Sequence, residues 1–228
     1  MLHQMERFSR SRGEAGNRRY HPRMLLVGLT GGMGAGKSTV SRILERRGAV
    51  VYDADVLARQ AVLPGTPGYT KVTELFGPEV IGQDGEIDRQ TLAGRVFSDH
   101  EARTALESII HPEVFRLLSE GVEDHRDSDR IVVFDAPLLV ETGFHDVCDS
   151  VVLVTASTDA QIERVVRERG LTEDAVRARL AAQRSDADKE RVADFVIRND
   201  GSLEDLERSV DELWETLVER EREKRAGG

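Results

Sequence analysis

The sequence predicts a three-layer α/β/α fold built on a five-stranded parallel β-sheet. Residues 31 to 38 read G-G-M-G-A-G-K-S, which matches the phosphate-binding pattern G-x-x-x-x-G-K-[ST] between an apolar run and an amphipathic helix. Further short apolar runs alternate with helical patterns along the chain. Strands that alternate with helices favour a parallel sheet with right-handed crossovers and helices on both faces.

The predicted strands are five short apolar runs, at residues 24–29, 49–53, 131–134, 149–155 and 194–197. A first helix is predicted at 39–47, with Val40, Ile43 and Leu44 on one face before Gly48. A second helix is predicted at 88–97, with Leu92, Val96 and Phe97 at helical spacing and expected in the core. A third begins at Pro112, because proline suits a first helical turn. A terminal helix at 201–218 buries Trp214 and precedes a charged tail after Arg220.

The length of 228 residues and the apolar content of 39 % predict a single domain over residues 24–228. Its core comprises residues 24–55, 128–157 and 193–218. Residues 56–127 carry several turn signals and are interpreted as a helical insert, and the charged residues 158–192 as a helical lid. Residues 1–23 are polar and arginine-rich, which predicts a disordered extension or a start upstream of the functional Met24. A transit peptide is the weaker alternative, because the apolar face is weak.

The charge balance and the cysteine content limit the function classes. A formal net charge of -10 argues against a general nucleic-acid or anionic-membrane binder. No run approaches the roughly 18 apolar residues of a membrane span. Cys148 is the only cysteine, so no intramolecular disulfide forms, and we expect a buried, inert thiol. The sequence therefore predicts a cytoplasmic protein that binds neither nucleic acid nor membrane, and we expect a monomer.

The phosphate-binding pattern predicts a nucleotide site. Backbone N–H groups of such a loop surround the β-phosphate, and the following helix adds its positive end. Lys37 then reaches the β- and γ-phosphates, and Ser38 ligates Mg²⁺. The alternative, a glycine-rich turn with an idle lysine, fits poorly between a strand and a helix. The expected nucleotide-binding residues are Gly32, Gly34, Ala35, Gly36, Lys37, Ser38 and Thr39.

This loop occurs in GTPases, in motor and transport ATPases and in small-molecule kinases. The chain has no N-K-x-D guanine signature and is short for a helicase or transporter engine. A small kinase needs an acceptor site inserted after the second strand and an arginine-bearing lid that excludes water. Residues 54–127 and 158–192 fit these two roles, so the sequence favours a small-molecule kinase.

A more specific resemblance rests on eight short motifs spread over residues 24 to 218. The motifs are L-T-G-G-M-G-A-G-K-S-T at 29–39, D-A-D-V-L-A-R-Q at 53–60, P-G-T-P-G at 64–68, I-D-R-Q-T-L at 87–92, I-H-P at 110–112, D-A-P-L-L-V-E at 135–141, R-L-A-A-Q at 179–183 and N-D-G at 199–201. Together they resemble the dephospho-CoA kinase family, which implies a P-loop kinase-like fold, ATP and Mg²⁺ as cofactors and dephospho-CoA as substrate. The implied reaction moves the γ-phosphoryl of ATP to the ribose 3′-hydroxyl of dephospho-CoA.

The resemblance gives the second aspartate of D-A-D, Asp55, the role of orienting the acceptor hydroxyl and taking its proton. Its alternative role is a helix N-cap, and the two can coexist. Asp53 is expected to orient its surroundings or act near the metal, within the substrate site. Arg59, at i+4 from Asp55, either pairs with that carboxylate or binds substrate.

Four further residues are candidates for the metal or the substrate. Asp135 follows an apolar run as in a Walker B segment and can hold Mg²⁺ through a water. Glu141 either organises the substrate cleft or forms a structural cap or ion pair. The resemblance places His111 at the substrate site, with extended backbone because it precedes Pro112. Arg89 is a candidate for contact with a substrate phosphate.

The lid is expected to supply cations for the transferring phosphoryl group. Arg164 aligns with the lid arginine of the family in Q-x-x-R and is the first choice, with Arg167 and Arg169 as neighbours. Most of the other arginines in 158–192 are interpreted as solvated partners of Glu163, Glu173 or Asp174. Asn199 follows the last strand, where P-loop kinases read adenine through backbone groups, although N-D-G is also simply a turn.

Two rival functions remain at this stage. One is another P-loop kinase that acts on a nucleotide or a sugar, which the acceptor specificity distinguishes. The other is a nucleotide-dependent regulatory protein with little turnover, which we would expect to lack Lys37, Asp55 or the lid arginines. All of them are present.

Overall fold

A computed structural model describes residues 23–97, 99–181 and 185–227. The extension predicted for residues 1–23 therefore lies, apart from Arg23, outside the described residues. The chain divides into two compact units. The first comprises the described residues up to Tyr52 and those from His125 onward, and the second spans Asp53–Asp124.

The strands are β1 Leu25–Gly31, β2 Val50–Asp53, β3 Ile131–Asp135, β4 Ser150–Thr155 and β5 Phe195–Arg198. The helices are α1 Lys37–Arg47, α2 Ala54–Gln60, α3 Pro67–Phe76, α4 Arg89–Phe97, α5 His100–Glu123, α6 Thr158–Arg169, α7 Glu173–Ala181, α8 Asp186–Glu190 and α9 Leu203–Gly227. Short 3₁₀ turns occupy Pro78–Val80 and Phe144–Val147.

The five strands form one sheet in the order β2-β3-β1-β4-β5, and the pairs β1–β3, β1–β4 and β4–β5 are parallel. The three central strands are buried along their whole length, as expected for a parallel sheet covered on both faces. The outer strands β2 and β5 have four residues each and are only partly buried. The predicted α/β fold with a five-stranded parallel sheet and flanking helices is confirmed.

The core on one face of the sheet forms between the strands and two helices. Alternate residues of β1 face α1 and α9, because successive strand side chains point to opposite faces. Trp214 packs against this cluster but is only partly buried, at its margin. The buried members from the two helices are Val40, Ile43, Leu44, Leu206, Val210, Leu213 and Leu217.

The second unit has its own apolar cluster. Helix α5 packs against α2, α3 and α4. Val72, Phe76, Ile87 and Leu92 are among its buried residues. Among the described residues, no helix combines the length and the apolar character that a membrane crossing requires.

Three details of the sequence prediction are wrong. Pro112 lies inside α5 instead of beginning a helix, so the backbone at His111 is helical and not extended. Tertiary packing of a 24-residue helix outweighs the one hydrogen bond that proline removes. Phe97 is 85 % exposed, because it lies five residues, about 140° around the helix, from the buried Leu92. The charged tail after Arg220 is helical as far as Gly227.

Candidate active site

The phosphate-binding loop connects β1 to α1 and requires glycine at two positions. Gly34 and Gly36 have φ values of 75° and 99°, which disfavour a side chain. A Cβ at Gly34 would lie 2.6 Å from the Gln161 carbonyl oxygen, and one at Gly36 would lie 2.1 Å from Asn199 Nδ2. Neighbouring segments therefore approach the loop so closely that only glycine fits.

Two of the predicted site residues hold the backbone of this loop. Asn199 Nδ2 donates to the Ala35 carbonyl oxygen at 2.8 Å. Arg164 donates from Nη1 to the Gly34 carbonyl oxygen at 3.3 Å and from Nη2 to the Asn199 carbonyl oxygen at 2.7 Å. The end of β5 and the middle of α6 thus meet at the loop, although both are distant from it in sequence.

Helix α1 begins at the loop without a capping side chain. Its N-cap is Gly36, which has no side chain to satisfy the first amide groups of the helix. Lys37 and Ser38 are the first helical residues, Ser38 is exposed, and Thr39 is partly exposed. Uncapped amides at a helix N-terminus, beside a lysine, form an environment that suits phosphate oxygens.

Asp135, the last residue of β3, is the buried acid of the site. It is 2 % exposed, and its two oxygens accept hydrogen bonds from Lys37 Nζ and Ser41 Oγ. Ala136 N donates to the Leu29 carbonyl oxygen at 2.9 Å, which extends the pairing of β3 with β1 beyond Asp135. The carboxylate is thus anchored next to the lysine of the loop.

The residues predicted to bind Mg²⁺ suit that ion chemically. Ser38 supplies a hydroxyl and Asp135 a carboxylate, both hard oxygen ligands. The described part of the chain contains no group of three or more His, Cys, Asp or Glu that could hold a metal. Magnesium at phosphate-transfer sites is held by one or two protein oxygens, waters and substrate phosphates, so a small donor set fits.

Glu141 forms the ion pair that was one of its two predicted roles. Its Oε1 lies 3.3 Å from Nζ of Lys189, a residue of α8 that is 0 % exposed. Sequence reasoning missed Lys189, which stands in the highly charged run of residues 158–192, where only arginines were considered as site residues. Complete burial depends on Glu141 and the segment around it, which are distant in sequence, so no local pattern reveals it.

Of the three arginines predicted to act in a lid, Arg164 alone forms a hydrogen bond with the phosphate-binding loop within the described residues. Arg167 is exposed and lies 3.6 Å from Glu163 and 3.6 Å from Glu168. Arg169 is exposed at the end of α6. Solvated pairing of the other lid arginines is observed where Arg177 contacts Glu173 at 2.7 Å.

The N-D-G turn after β5 is fixed to the beginning of α6. Asp200 Oδ1 accepts a hydrogen bond from Ser157 N at 2.7 Å. The backbone amide of Ser157, and then its side chain, lower the pKa of Asp200. The turn is therefore structural, and it also presents the Asn199 backbone beside Arg164.

In the second unit, Asp53 and Asp55 have different surroundings. Asp53 is the N-cap of α2, and its Oδ1 accepts from the amides of Asp55 at 2.7 Å and Val56 at 3.1 Å. The alternative role of Asp55 as the cap is therefore wrong. Asp55 is exposed, and its side chain makes no hydrogen bond or ion pair with described residues, Arg59 included. The ion pair between Asp55 and Arg59, one of the two roles predicted for Arg59, does not form.

Arg89 and His111 lie on neighbouring helices of the second unit. Arg89 begins α4, is exposed, and lines a concave region of about 500 Å³ formed by residues of the 82–90 segment. Asp88 accepts bonds from Gln90 N and from Thr91, and the Thr91 hydroxyl is the main cause of its lowered pKa. His111 is half-buried in α5. No hydrogen bond or ion pair between described residues joins Asp55, Arg89 and His111.

Comparison with known proteins gives a consistent result. The model of the dephospho-CoA kinase family matches residues 25–205. A dephospho-CoA kinase of Streptomyces avermitilis is 48 % identical over 197 residues, which are 86 % of this chain and 96 % of the relative. A crystal structure from Thermus thermophilus has a TM-score of 0.74 at 38 % identity and covers 86 % of this chain and 98 % of its own. A dephospho-CoA kinase from Campylobacter jejuni, with a TM-score of 0.61, 22 % identity and the same two coverages, supports the fold.

Proposed function

Because the chain belongs to the dephospho-CoA kinase family, we propose that it transfers the γ-phosphoryl group of ATP to the ribose 3′-hydroxyl of dephospho-CoA, giving CoA and ADP. The observation that carries this proposal is the complete phosphate-binding loop, in which Lys37 donates a hydrogen bond to the buried Asp135. The chain that contains this loop matches the family over residues 25–205. The rest of the site provides the roles that the reaction needs.

The first unit binds ATP in this proposal. The loop amides and the uncapped N-terminus of α1 hold the β- and γ-phosphates, and Lys37 moves its ammonium group from Asp135 towards the γ-phosphate. The Asn199 backbone reads the adenine ring. Arg164 keeps the loop carbonyl of Gly34 turned towards its guanidinium and adds positive charge for the transferring phosphoryl.

Mg²⁺, when bound with ATP, neutralises phosphate charge and aligns the γ-phosphoryl group. Ser38 would hold the ion directly and Asp135 through a water. The two existing bonds to Asp135 keep its carboxylate in one orientation for this purpose.

The second unit binds the acceptor. Asp55 orients the 3′-hydroxyl and takes its proton as the new P–O bond forms and the bond from the γ-phosphorus to the bridging oxygen breaks. Asp53 supports this role indirectly, because its cap fixes the first turn of α2, where Asp55 lies. We propose that Arg59, Arg89 and His111 bind the dephospho-CoA, the two arginines through its phosphates.

The test is ADP release by purified protein with Mg-ATP and dephospho-CoA, with AMP, shikimate and gluconate as alternative acceptors. We expect turnover with dephospho-CoA alone. Asp55→Asn should lower kcat by about 10²- to 10⁴-fold, because it removes the proton acceptor. The melting temperature should stay within about two degrees, since a surface change away from special features costs at most roughly 0.5 kcal/mol.

Turnover with a control acceptor would contradict the assignment of dephospho-CoA as the substrate. An unchanged kcat in Asp55→Asn would contradict the role of Asp55 as the base. Asp53→Asn serves as the matched control. An asparagine still caps the helix, so this variant should keep the melting temperature and lose far less activity.

A further inference from the structure

Lys189 is the most completely buried charged side chain among the described residues, with 0 % exposure. A buried ammonium group is costly unless it is paired and hydrogen-bonded. Lys189 has two such partners in the first unit. Its Nζ lies 3.3 Å from Glu141 Oε1 and donates to the Pro137 carbonyl oxygen at 3.5 Å. The roles proposed above for the reaction use neither Lys189 nor this carbonyl.

The Pro137 carbonyl oxygen connects three segments of the chain through hydrogen bonds. It follows Asp135 by two residues, and it also accepts a hydrogen bond from Thr30 Oγ at 3.3 Å. Thr30 lies in β1 directly before the phosphate-binding loop, and Lys189 lies in α8, near the end of the predicted lid and six residues before β5 begins. One oxygen atom therefore links the beginning of the loop, the segment that follows β3 and the last part of the predicted lid.

We propose that Lys189 is a positioning residue for phosphoryl transfer, one that fixes the segment from Pro137 to Glu141 and through it the carboxylate of Asp135. The inference rests on the function proposed above. A displaced Asp135 alters both the starting position of Lys37 and the oxygen that would hold Mg²⁺ through water. Small misplacements of such groups reduce rates strongly, by up to about a hundredfold for an ångström.

Lys224 offers a matched control. Its Nζ also pairs with a carboxylate, Asp149, and donates to a backbone carbonyl, that of Met24 at 2.9 Å. The two lysines thus have the same kinds of partner. Lys224, however, binds near the amino ends of the strands, away from the phosphate-binding loop, so its loss should affect stability and not chemistry.

The experiment compares Lys189→Met, the double variant Lys189→Met/Glu141→Leu, Thr30→Val and Lys224→Met. For each we would measure the melting temperature, kcat and KM for ATP, and the factor by which Mg²⁺ strengthens ADP binding in calorimetry. An apolar pair often restores the stability lost when one partner of a buried ion pair is removed. The double variant should therefore regain the melting temperature and still leave Pro137 without its ammonium donor.

We expect kcat about ten- to a hundredfold below wild type in both Lys189 variants, with a reduced Mg²⁺ effect on ADP binding. Thr30→Val, which is nearly isosteric, should show a smaller loss of the same kind. Lys224→Met should lose stability and keep kcat. The inference is wrong if the double variant recovers kcat together with its melting temperature.

If no Lys189 variant folds, Thr30→Val provides the test. An unchanged kcat and an unchanged Mg²⁺ effect on ADP binding in that variant would refute the idea that contacts at the Pro137 carbonyl position Asp135. A wild-type protein that fails to phosphorylate dephospho-CoA would refute the proposed function separately. The Mg²⁺ effect on ADP binding in the variants would still test Lys189, because it needs no acceptor.

Discussion

At the scale of single residues, Asp53 and Asp55 have different roles although they lie two positions apart. Both are plausible caps, because each precedes a helical pattern. The structure uses Asp53 as the cap because β2 continues to that residue and α2 begins immediately after it. Asp55 then lies in the first turn, where its carboxylate has no partner among the described residues and remains available for a substrate.

Gly36 and Gly48 provide a matched test of the phosphate-binding loop. The two glycines flank α1 and have positive φ values, 99° at Gly36 and 111° at Gly48. A Cβ added at Gly36 would clash with Asn199, whereas a Cβ added at Gly48 would have no atom within 4 Å. Alanine at either position should cost roughly 1–2 kcal/mol of folding stability through backbone strain. Only Gly36→Ala should also abolish ATP binding measured by calorimetry. Equal ATP affinity in the two variants would show that close approach to the loop is unimportant.

The thiol of Cys148 should be unreactive in the folded protein. It is buried, and this burial, followed by the charges of Asp149 and Asp146, raises its pKa from 9.0 to about 12. Because the nucleophile is the thiolate, a thiol reagent at pH 8 should modify the unfolded chain only. Rapid labelling of the folded protein would contradict this expectation.

The same shift predicts how stability depends on alkaline pH. Above pH 9 the unfolded thiol loses its proton while the folded one keeps it, so the unfolded state binds fewer protons and stability falls as pH rises. The thiol contribution is complete below pH 9 and is lost towards pH 12, with a limiting slope of about 1.4 kcal/mol per pH unit. Urea unfolding of wild type and Cys148→Ala at several pH values should show this difference in slope.

At the scale of elements, α9 is anchored to the sheet by its last turns. Lys224 contacts Asp149, whose Oδ2 also accepts from Leu26 N at 2.8 Å, and Arg220 donates to Ser150 Oγ at 2.8 Å. The Arg220 guanidinium lies over the Phe195 ring, 4.6 Å from its centroid. These contacts explain why a run that reads as a charged tail continues as a helix.

Lys224→Met should therefore destabilise the fold. Its partners are partly buried, so we expect a loss of about 1–3 kcal/mol and a melting temperature lower by roughly 2–4 °C for each kcal/mol. Arg222→Met on the same helix is the control, because Arg222 is exposed. Differential scanning calorimetry would measure both, and equal melting temperatures would show that the anchor contributes nothing.

Helix α5 continues through Pro112 because of tertiary contacts and against the local signal of the proline. Its N-cap Asp99 accepts from Ala102 N at 2.9 Å, and the helix passes through Pro112 without ending. Packing on α2, α3 and α4 compensates for the missing hydrogen-bond donor. His111 consequently has a helical backbone, which the X-Pro rule alone does not predict.

At the scale of the whole molecule, the two compact units should respond to different ligands. Hydrogen exchange with a non-hydrolysable ATP analogue and Mg²⁺ should slow in the peptides of residues 31–39, 160–165 and 198–200. Dephospho-CoA should slow exchange within Asp53–Asp124. Protection confined to the first unit with both ligands would contradict the assignment of the second unit to the acceptor.

The monomeric state and the cytoplasmic location stay predictions, as does the description of the two units and the lid as one domain. Light scattering coupled to size-exclusion chromatography tests the first. A mass near the 25.4 kDa of one chain is expected, and twice that mass would replace the monomer with a dimer.

The sheet, the phosphate-binding loop and the family could all be predicted from the sequence. These depend on local signals, namely short apolar runs, a fixed glycine and lysine spacing, and motifs of a few residues. Even the two-sided burial of β1 can be inferred from its continuous apolar run.

The residues that support the site, in contrast, became evident from long-range contacts in the folded chain. The bond from Arg164 to Gly34 and the pairing of Lys189 with Glu141 join segments that lie far apart along the chain. Whether a charged residue is solvated or buried depends on such distant neighbours, which no local pattern encodes. That is why the sequence does not single out Lys189, which lies fully buried beside the Pro137 carbonyl, two residues after Asp135.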